Sequence, residues 1–245
     1  MDILVSITIG LEDNMALPIT EHPLIDVHVH SLGKKVKFRP FLVKEEKLLV
    51  LANETKEEEE MIKATQQVVT NCSFGKVDGE KIPIFDMQQI FLELRKVSIS
   101  DKIDARLLCG HCEAPIDIEI SLDTFKLYET EGHDKTVQLG NEMSLEMRYP
   151  NASEMIEIGK SETEQDLFKV AEVCIEKIFQ GEAIYEDLTE SDRAEFIDNL
   201  TTEQFSHIKK FFETMPVIEN YVDYDCPKCE KKNTAYLNGY YDFFV

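Results

Sequence analysis

Two C-x-x-C pairs constrain the fold of this chain more than any other feature of its sequence. Cys109 and Cys112 form the first pair, Cys226 and Cys229 form the second, and each precedes a predicted strand. A tight turn that carries two thiolates three residues apart is one half of a zinc ribbon, and Zn²⁺ takes four ligands in a tetrahedron. The four cysteines therefore predict a structural zinc site, with the long intervening segment folded so that its ends meet.

Other interpretations of the cysteines stay open at this point. Each pair could hold its own metal ion, with His111 as a further ligand, or the thiols could be unmetallated or form a redox pair. A closed Cys₄ site has no open coordination position, so it would stabilise folding and would not catalyse a reaction. The two single cysteines, Cys72 and Cys174, are expected to be small buried core residues.

The charge of the chain argues against several classes of partner. With 48 Asp and Glu against 26 Lys and Arg in 245 residues, the formal net charge is −22. An acidic surface neither neutralises nucleic-acid phosphates nor docks on an anionic membrane, so a zinc-ribbon nucleic-acid adaptor is disfavoured. We expect protein partners, including basic ones, and no small-molecule substrate.

The distribution of apolar residues predicts no membrane span. No segment is apolar over the roughly 20 residues that a spanning helix requires. The apolar stretch at residues 1–10 contains an Asp and no basic residue, and it lacks the cleavage site of a signal peptide. We therefore expect the protein to stay in the cytoplasm where it is made.

In the first part of the chain, apolar residues recur first with the spacing of a strand and then with the spacing of a helix. Apolar residues at every second position on both sides of Gly33 predict a β-hairpin over 25–38. Helices are expected over 44–53, from the acidic run at 57–60 onward, and after Asp86, which is a suitable N-cap.

The middle of the chain is predicted as strands and the following segment as helices. Period-two patterning predicts strands over 116–120, 137–139 and 143–149. Ser161 and Glu164 form a capping box, and apolar residues from Leu167 to Phe179 then fall on one helical face. We therefore expect one helix through Phe179, ended by Gly181. Two further helices are expected over 189–200 and 201–215.

These patterns predict an α+β fold. It consists of an N-terminal β-hairpin and helices, a central antiparallel β segment with a split zinc-ribbon-like element, and a C-terminal helical insert. The expected division is an N-terminal extension (1–20), a hairpin plus helical module (21–103), a β and zinc-ribbon-like module (104–150 with 220–245) and an acidic helical module (151–219). The acidic module carries about half of the net charge.

The segment 26–30, DVHVH, suggests an alternative function. It resembles the first strand of amidohydrolase barrels, which would make the protein a metal-dependent hydrolase that uses His28 and His30. Such a barrel needs eight βα units and further metal ligands on later strands, and only four other histidines are present. His28 and His30 alternate with apolar residues, so we expect both on the solvated face of a strand.

Two regions are candidates for binding a protein partner. A basic cluster near the hairpin includes Arg39 and Lys44, with Phe41 between them, and it could either pair with acids of the same chain or form a docking patch. The C-terminus contains several aromatic residues, among them Phe243 and Phe244, which is unusual for a chain end. These aromatics are expected either to pack into the core or to bind a partner.

Several strings of residues together resemble one protein family. The segment 37–49, KFRPFLVKEEKLL, resembles a signature of the T4-type phage baseplate proteins that build the tail hub. The IFD and IFLELR strings within 84–95, Met215-Pro216 ahead of the second C-x-x-C pair, and the LNG and DFF strings near the C-terminus are similar to later parts of that family. The resemblance begins at about His22.

This resemblance implies a non-enzymatic baseplate hub protein or hub assembly factor, made in the host cytoplasm, that acts through contacts with phage baseplate hub proteins. The resemblance leaves open whether the protein is a chaperone that only assists hub assembly. It offers no catalytic residues. A structural hub component retained in the virion baseplate is the alternative. The net charge of −22 favours the chaperone, because an acidic surface is soluble and can shield a basic partner reversibly.

Overall fold

A computed structural model describes residues 22–140, 142–159 and 164–237 of the protein. The helices in these ranges are α1 (Val43–Thr55), α2 (Glu58–Cys72), α3 (Ile84–Ser98), α4 (Ala152–Gly159), α5 (Glu164–Cys174), α6 (Glu190–Asp198) and α7 (Thr202–Thr214). The strands are β1 (Ile25–Val29), β2 (Lys34–Phe38), β3 (Lys102–Leu108), β4 (Pro115–Ser121), β5 (Lys126–Tyr128), β6 (Thr136–Gln138), β7 (Met143–Met147), β8 (Ile175–Gln180), β9 (Ala183–Tyr185), β10 (Val217–Asp225) and β11 (Lys232–Leu237). The predicted α+β class is confirmed.

The strands form several small antiparallel sheets. β1 pairs with β2, and β3 pairs with β4. A three-stranded sheet has the order β11-β10-β5, and a four-stranded sheet has the order β6-β7-β8-β9. None of the helices in the described ranges combines the length and the apolar character that a membrane-spanning helix requires.

The predicted N-terminal hairpin is confirmed. Val27 lies opposite Val36 in the β1–β2 pair, and both side chains are buried. Gly33 closes the turn with a left-handed φ of +59°, a conformation that glycine adopts without steric cost. The buried face of this hairpin joins the apolar faces of α2 and α3 in the main core.

Asp86 lies inside α3, so its expected role as the N-cap is wrong. The helix begins at Ile84, directly after Pro83. Asp86 is fully buried, and its carboxylate accepts hydrogen bonds from the backbone N–H groups of His30 (2.7 Å) and Ser31 (2.9 Å). The acid therefore joins the turn of the hairpin to the first turn of α3, because each buried N–H needs an acceptor.

The single helix expected through Phe179 is wrong in its second half. α5 ends at Cys174, and the next residues, Ile175–Gln180, form β8 in the middle of the four-stranded sheet. β8 therefore takes the place of the last part of the expected helix, and β9 follows the turn at Gly181.

A β-bulge explains why this strand has an apolar spacing typical of a helix. Met147 lies opposite Ile175 and Leu145 lies opposite Ile178, so Glu176 is an extra residue in β8. Met147 and Leu145 are both fully buried, and the bulge brings Ile175 and Ile178 to the same buried side. Apolar residues three apart on a bulged strand have the same sequence spacing as those on one face of a helix.

The two helices expected after this sheet are confirmed. α6 begins after the N-cap Thr189, and α7 begins with the predicted capping box of Thr201 and Gln204. The predicted capping box of Ser161 and Glu164 involves Ser161, which lies outside the described ranges. The division of the chain into modules stays a prediction.

Candidate metal centre

Both C-x-x-C pairs lie in the turns of antiparallel hairpins. Cys109 and Cys112 fall between β3 and β4, and Cys226 and Cys229 fall between β10 and β11. The expectation that each pair precedes a strand is confirmed, and each pair also follows one.

The two turns share one backbone structure. In each, the first cysteine donates its N–H to the carbonyl five residues later, and the N–H four residues later donates to the carbonyl of that cysteine. These bonds are Cys109 N to Ala114 O (2.9 Å), Glu113 N to Cys109 O (2.9 Å), Cys226 N to Lys231 O (3.0 Å) and Glu230 N to Cys226 O (2.9 Å). The residue after each second cysteine is left-handed, with φ of 56° at Glu113 and 57° at Glu230. Both turns therefore present their sulfurs in the same way.

The fold brings the four sulfurs together. The Sγ atoms of Cys109 and Cys229 are 3.6 Å apart, and those of Cys112 and Cys226 are 3.7 Å apart. All four sulfurs lie within 4.8 Å of one another, and none forms a disulfide. A zinc–sulfur bond of about 2.3 Å places the corners of a tetrahedron about 3.8 Å apart. The separations of 3.6 and 3.7 Å match that edge.

Two hydrogen bonds outside the thiols hold the hairpin turns against each other. The hydroxyl of Tyr224 donates to the carbonyl of Leu108 (2.9 Å), and the N–H of Gly110 donates to the side-chain oxygen of Asn233 (3.0 Å). Sequence reasoning missed both Tyr224 and Asn233, because their partners lie on the other hairpin. The sequence indicated only that the two C-x-x-C turns meet, and it did not indicate which residues outside the cysteines join them.

The surroundings of the sulfurs are apolar on one side. Cys109 and Cys226 are each 1% exposed, whereas Cys112 and Cys229 are half-buried. A separate small cluster of apolar residues surrounds them, including Ala114, Ile116, Ile118 and Tyr224. Water therefore has limited access to the cluster, which suits a structural site.

The thiols have unequal affinities for protons. Burial acts to raise the pKa of Cys109, but the N–H groups of His111 and Cys112 and two neighbouring thiols outweigh it and lower that pKa to about 6. At Cys229 the backbone N–H of Lys231 favours the thiolate, yet burial and the adjacent cysteines raise the pKa to about 12. Four thiolates at this spacing repel one another, and a divalent cation would remove that repulsion and release the remaining protons.

The donor set determines what the cluster can do. Four cysteines lie close enough to bind one metal ion, and they form the only group of three or more His, Cys, Asp or Glu within the described residues that could do so. His111 is exposed and lies outside this group. Four thiolates select a soft or borderline ion and leave no coordination position for a substrate.

The two histidines of the DVHVH segment are placed differently from each other. His28 is exposed on β1, as predicted. His30 lies in a short 3₁₀ turn after the strand, where its Nε2 is 2.9 Å from a carboxylate oxygen of Glu129 and its ring contacts Phe85. The expectation that His30 lies on a solvated strand face is therefore wrong. Neither histidine belongs to the candidate metal group.

The remaining cysteines are core residues, as predicted. Cys72 and Cys174 are fully buried within the main core. Burial raises the pKa of Cys72 to about 11 and that of Cys174 to about 12, so both thiols stay protonated at neutral pH.

The residues expected to bind a partner are spread over different environments. Arg39 is 8% exposed, and its guanidinium bonds both carboxylate oxygens of the buried Glu45 (3.1 and 2.9 Å), so it serves an internal ion pair. The half-buried ring of Phe41 contacts Phe91, whereas the side chain of Lys44 is 66% exposed. Phe243 and Phe244 lie outside the described residues.

Comparison with known proteins gives one match. The sequence model of the family described as "T4 bacteriophage base plate protein" matches residues 22–245. No curated protein and no solved structure matches the chain.

Proposed function

The chain belongs to the T4 bacteriophage base plate protein family, and from this premise we propose that it is a non-enzymatic assembly factor for the tail baseplate hub. The family match over residues 22–245 is the observation that carries the proposal. A baseplate is built from many proteins, so a member of such a family acts through protein–protein contacts.

The charge of the chain supports a transient, chaperone-like role in the host cytoplasm. A net charge of −22 keeps the free protein soluble and allows it to cover a basic surface of a hub protein until that surface finds its permanent neighbour. Binding that is dominated by charge has fast association and can be reversed by a competing partner.

We further propose that the four cysteines bind a structural zinc ion. The close approach of the four sulfurs, two pairs of which are separated by the edge length of a zinc tetrahedron, and the all-thiolate donor set support zinc over harder ions, which prefer oxygen ligands. The ion would join the β3–β4 hairpin to the β10–β11 hairpin and stabilise the folded state. The proposed function requires no catalytic role of the ion.

Affinity purification from infected cells tests the proposed function. A tagged full-length chain, expressed during infection, is expected to co-purify baseplate hub proteins, while quantitative mass spectrometry of mature tails should detect no fixed number of copies. A fixed number of copies in mature tails would contradict the chaperone role and support a structural component that is retained in the virion. If no baseplate protein co-purifies, the assembly role itself is refuted.

A further inference from the structure

The core of the four-stranded sheet opens to solvent at its edge strand. Leu145, Ile178 and Tyr185 lie directly opposite one another on β7, β8 and β9, so their side chains share one face of the sheet. Their exposed fractions rise along this row from 0% to 7% to 48%. The face that is buried at β7 is therefore uncovered at β9.

Helix α6 leaves a groove beside this uncovered face. The groove has a volume of about 520 Å³ and lies between α6 and the β7–β9 part of the sheet. Its apolar floor combines Met143 and Ile178 of the sheet with Leu188 and Phe196. A monomeric protein normally covers such a surface, and an apolar groove continuous with the core is typical of a site that receives a side chain from a partner.

The rim of the groove is acidic. Glu186, Asp187, Asp192 and Glu195 line it, and no lysine or arginine is among its described lining residues. Glu186 lies 3.7 Å from Lys177, and Asp192 caps its own helix. Asp187 and Glu195 are exposed and have no ion-pair partner within 22–140, 142–159 and 164–237. An apolar floor with uncompensated acids on its rim is complementary to a basic segment that carries an apolar side chain.

The two terminal segments outside the described ranges are poor candidates for the groove on charge grounds. Residues 1–21 and 238–245 contain acids and no lysine or arginine. Their charge has the same sign as the rim, so their binding would be opposed.

We propose that this groove docks a segment of another baseplate protein in which an apolar anchor residue is flanked by lysine or arginine. The proposal rests on the proposed function, because it identifies the surface through which the assembly factor would hold its client. The anchor side chain would fill the space above Ile178 and Phe196, and the flanking cations would meet Asp187 and Glu195.

Peptides tiled across the other baseplate proteins of the same phage provide the probe. Overlapping 15-residue peptides are titrated against the intact chain, and binding is measured by fluorescence anisotropy at low and high salt. One variant reverses the rim charge with Asp187→Lys and Glu195→Lys. A matched control, Glu54→Lys with Glu213→Lys, makes the same change in net charge at exposed acids that do not line the groove.

We expect basic peptides with an apolar residue to bind the wild type and the control equally, and to bind the rim-reversed variant at least about tenfold more weakly. If the peptides bind the rim-reversed variant as tightly as the wild type, or if acidic peptides are selected, the proposal that the groove is the docking site is overturned. The proposed function would remain intact. Self-association of the chain that disappears on rim reversal would identify a second copy as the occupant and would also overturn the proposal for the groove. Failure of every peptide and every intact baseplate protein to bind the wild type would refute both proposals.

Discussion

The sulfur of Cys109 lies 3.6 Å from the sulfur of Cys229, although 120 residues separate them along the chain. The entropic cost of closing a loop rises only slowly with its length, so one cross-link can hold a large insert in place. Helices α4 to α7 and the four-stranded sheet lie between the two C-x-x-C turns in the sequence. A metal ion at this position would therefore join distant parts of the chain.

We expect the purified protein to contain one zinc ion per chain. Cys109→Ser and Cys229→Ser should each lose the ion, since each removes one of four thiolates. His28→Ala and His111→Ala should retain it, because neither side chain belongs to the cysteine group. Elemental analysis by mass spectrometry measures the stoichiometry. Two ions per chain, or loss of zinc with His111→Ala, would instead support a separate site at each C-x-x-C turn.

Removal of the metal should loosen the two hairpins more than the main core. Each kcal/mol of folding free energy lost with the metal would lower the Tm by about 2–4 °C for a domain of this size. Hydrogen exchange after chelation should increase in β3–β4 and β10–β11, whereas β1–β2 and α2 should keep their protection. Uniform loss of protection across all these elements would show that the metal supports the whole fold.

The buried pair of Arg39 and Glu45 should contribute strongly to stability. Arg39→Ala leaves the carboxylate of Glu45 buried without its main partner, and such a change costs about 3–5 kcal/mol. Arg106→Ala is the control, because the pair of Arg106 and Asp117 is solvated and should contribute less than about 1 kcal/mol. Urea unfolding compares the two variants, and similar losses would contradict this assignment.

Gly79 should not tolerate a side chain. A Cβ atom at Gly79 would overlap the backbone carbonyl of Gln66, and backbone cannot move aside as a flexible side chain can. Gly79→Ala should therefore destabilise the protein by about 1–3 kcal/mol. Gly140→Ala serves as the control, since no atom lies within 4 Å of its added Cβ. Equal stability of the two variants by urea unfolding would show that the loop shifts freely.

Local patterns were sufficient to predict the first hairpin and the meeting of the four cysteines. The C-x-x-C spacing carries its own chemistry, so the meeting of Cys112 and Cys226 could be predicted without knowing the path between them. Alternation on both sides of Gly33 likewise specified the first hairpin, because a half-buried strand needs period two.

Features set by long-range contacts could not be predicted in the same way. The apolar residues of β8 fit both a helix and a bulged strand, and only pairing with β7 decides between them. Asp86 has a side chain suited to an N-cap, but its carboxylate accepts a hydrogen bond from the backbone of Ser31, 55 residues earlier in the hairpin. Arg39 belongs to a basic run, and the sequence does not reveal that Glu45 holds it in the interior.

His133 should make stability fall in mild acid. Its Nδ1 is 2.9 Å from the hydroxyl of Thr214 and its Nε2 is 3.0 Å from that of Tyr149. Because the Thr214 hydroxyl donates to the carbonyl of Lys210 (2.8 Å), Nδ1 of His133 serves as the donor to that hydroxyl, and Nε2 of the neutral ring can accept from Tyr149. Burial lowers the pKa of His133 below its ordinary 6.5 and outweighs the opposing effect of two nearby acids, Glu129 and Asp134.

The sign of this effect follows from proton binding. Above the ordinary pKa of 6.5 the ring is neutral in both states, whereas below it the unfolded chain takes up a proton that the folded chain resists. The free energy of unfolding should therefore fall as the pH drops from 6.5 towards the lowered pKa, and His133→Gln should reduce that slope. Urea unfolding at several pH values measures it, with His207→Gln as an exposed control. An unchanged slope in His133→Gln would assign the acid sensitivity to other groups.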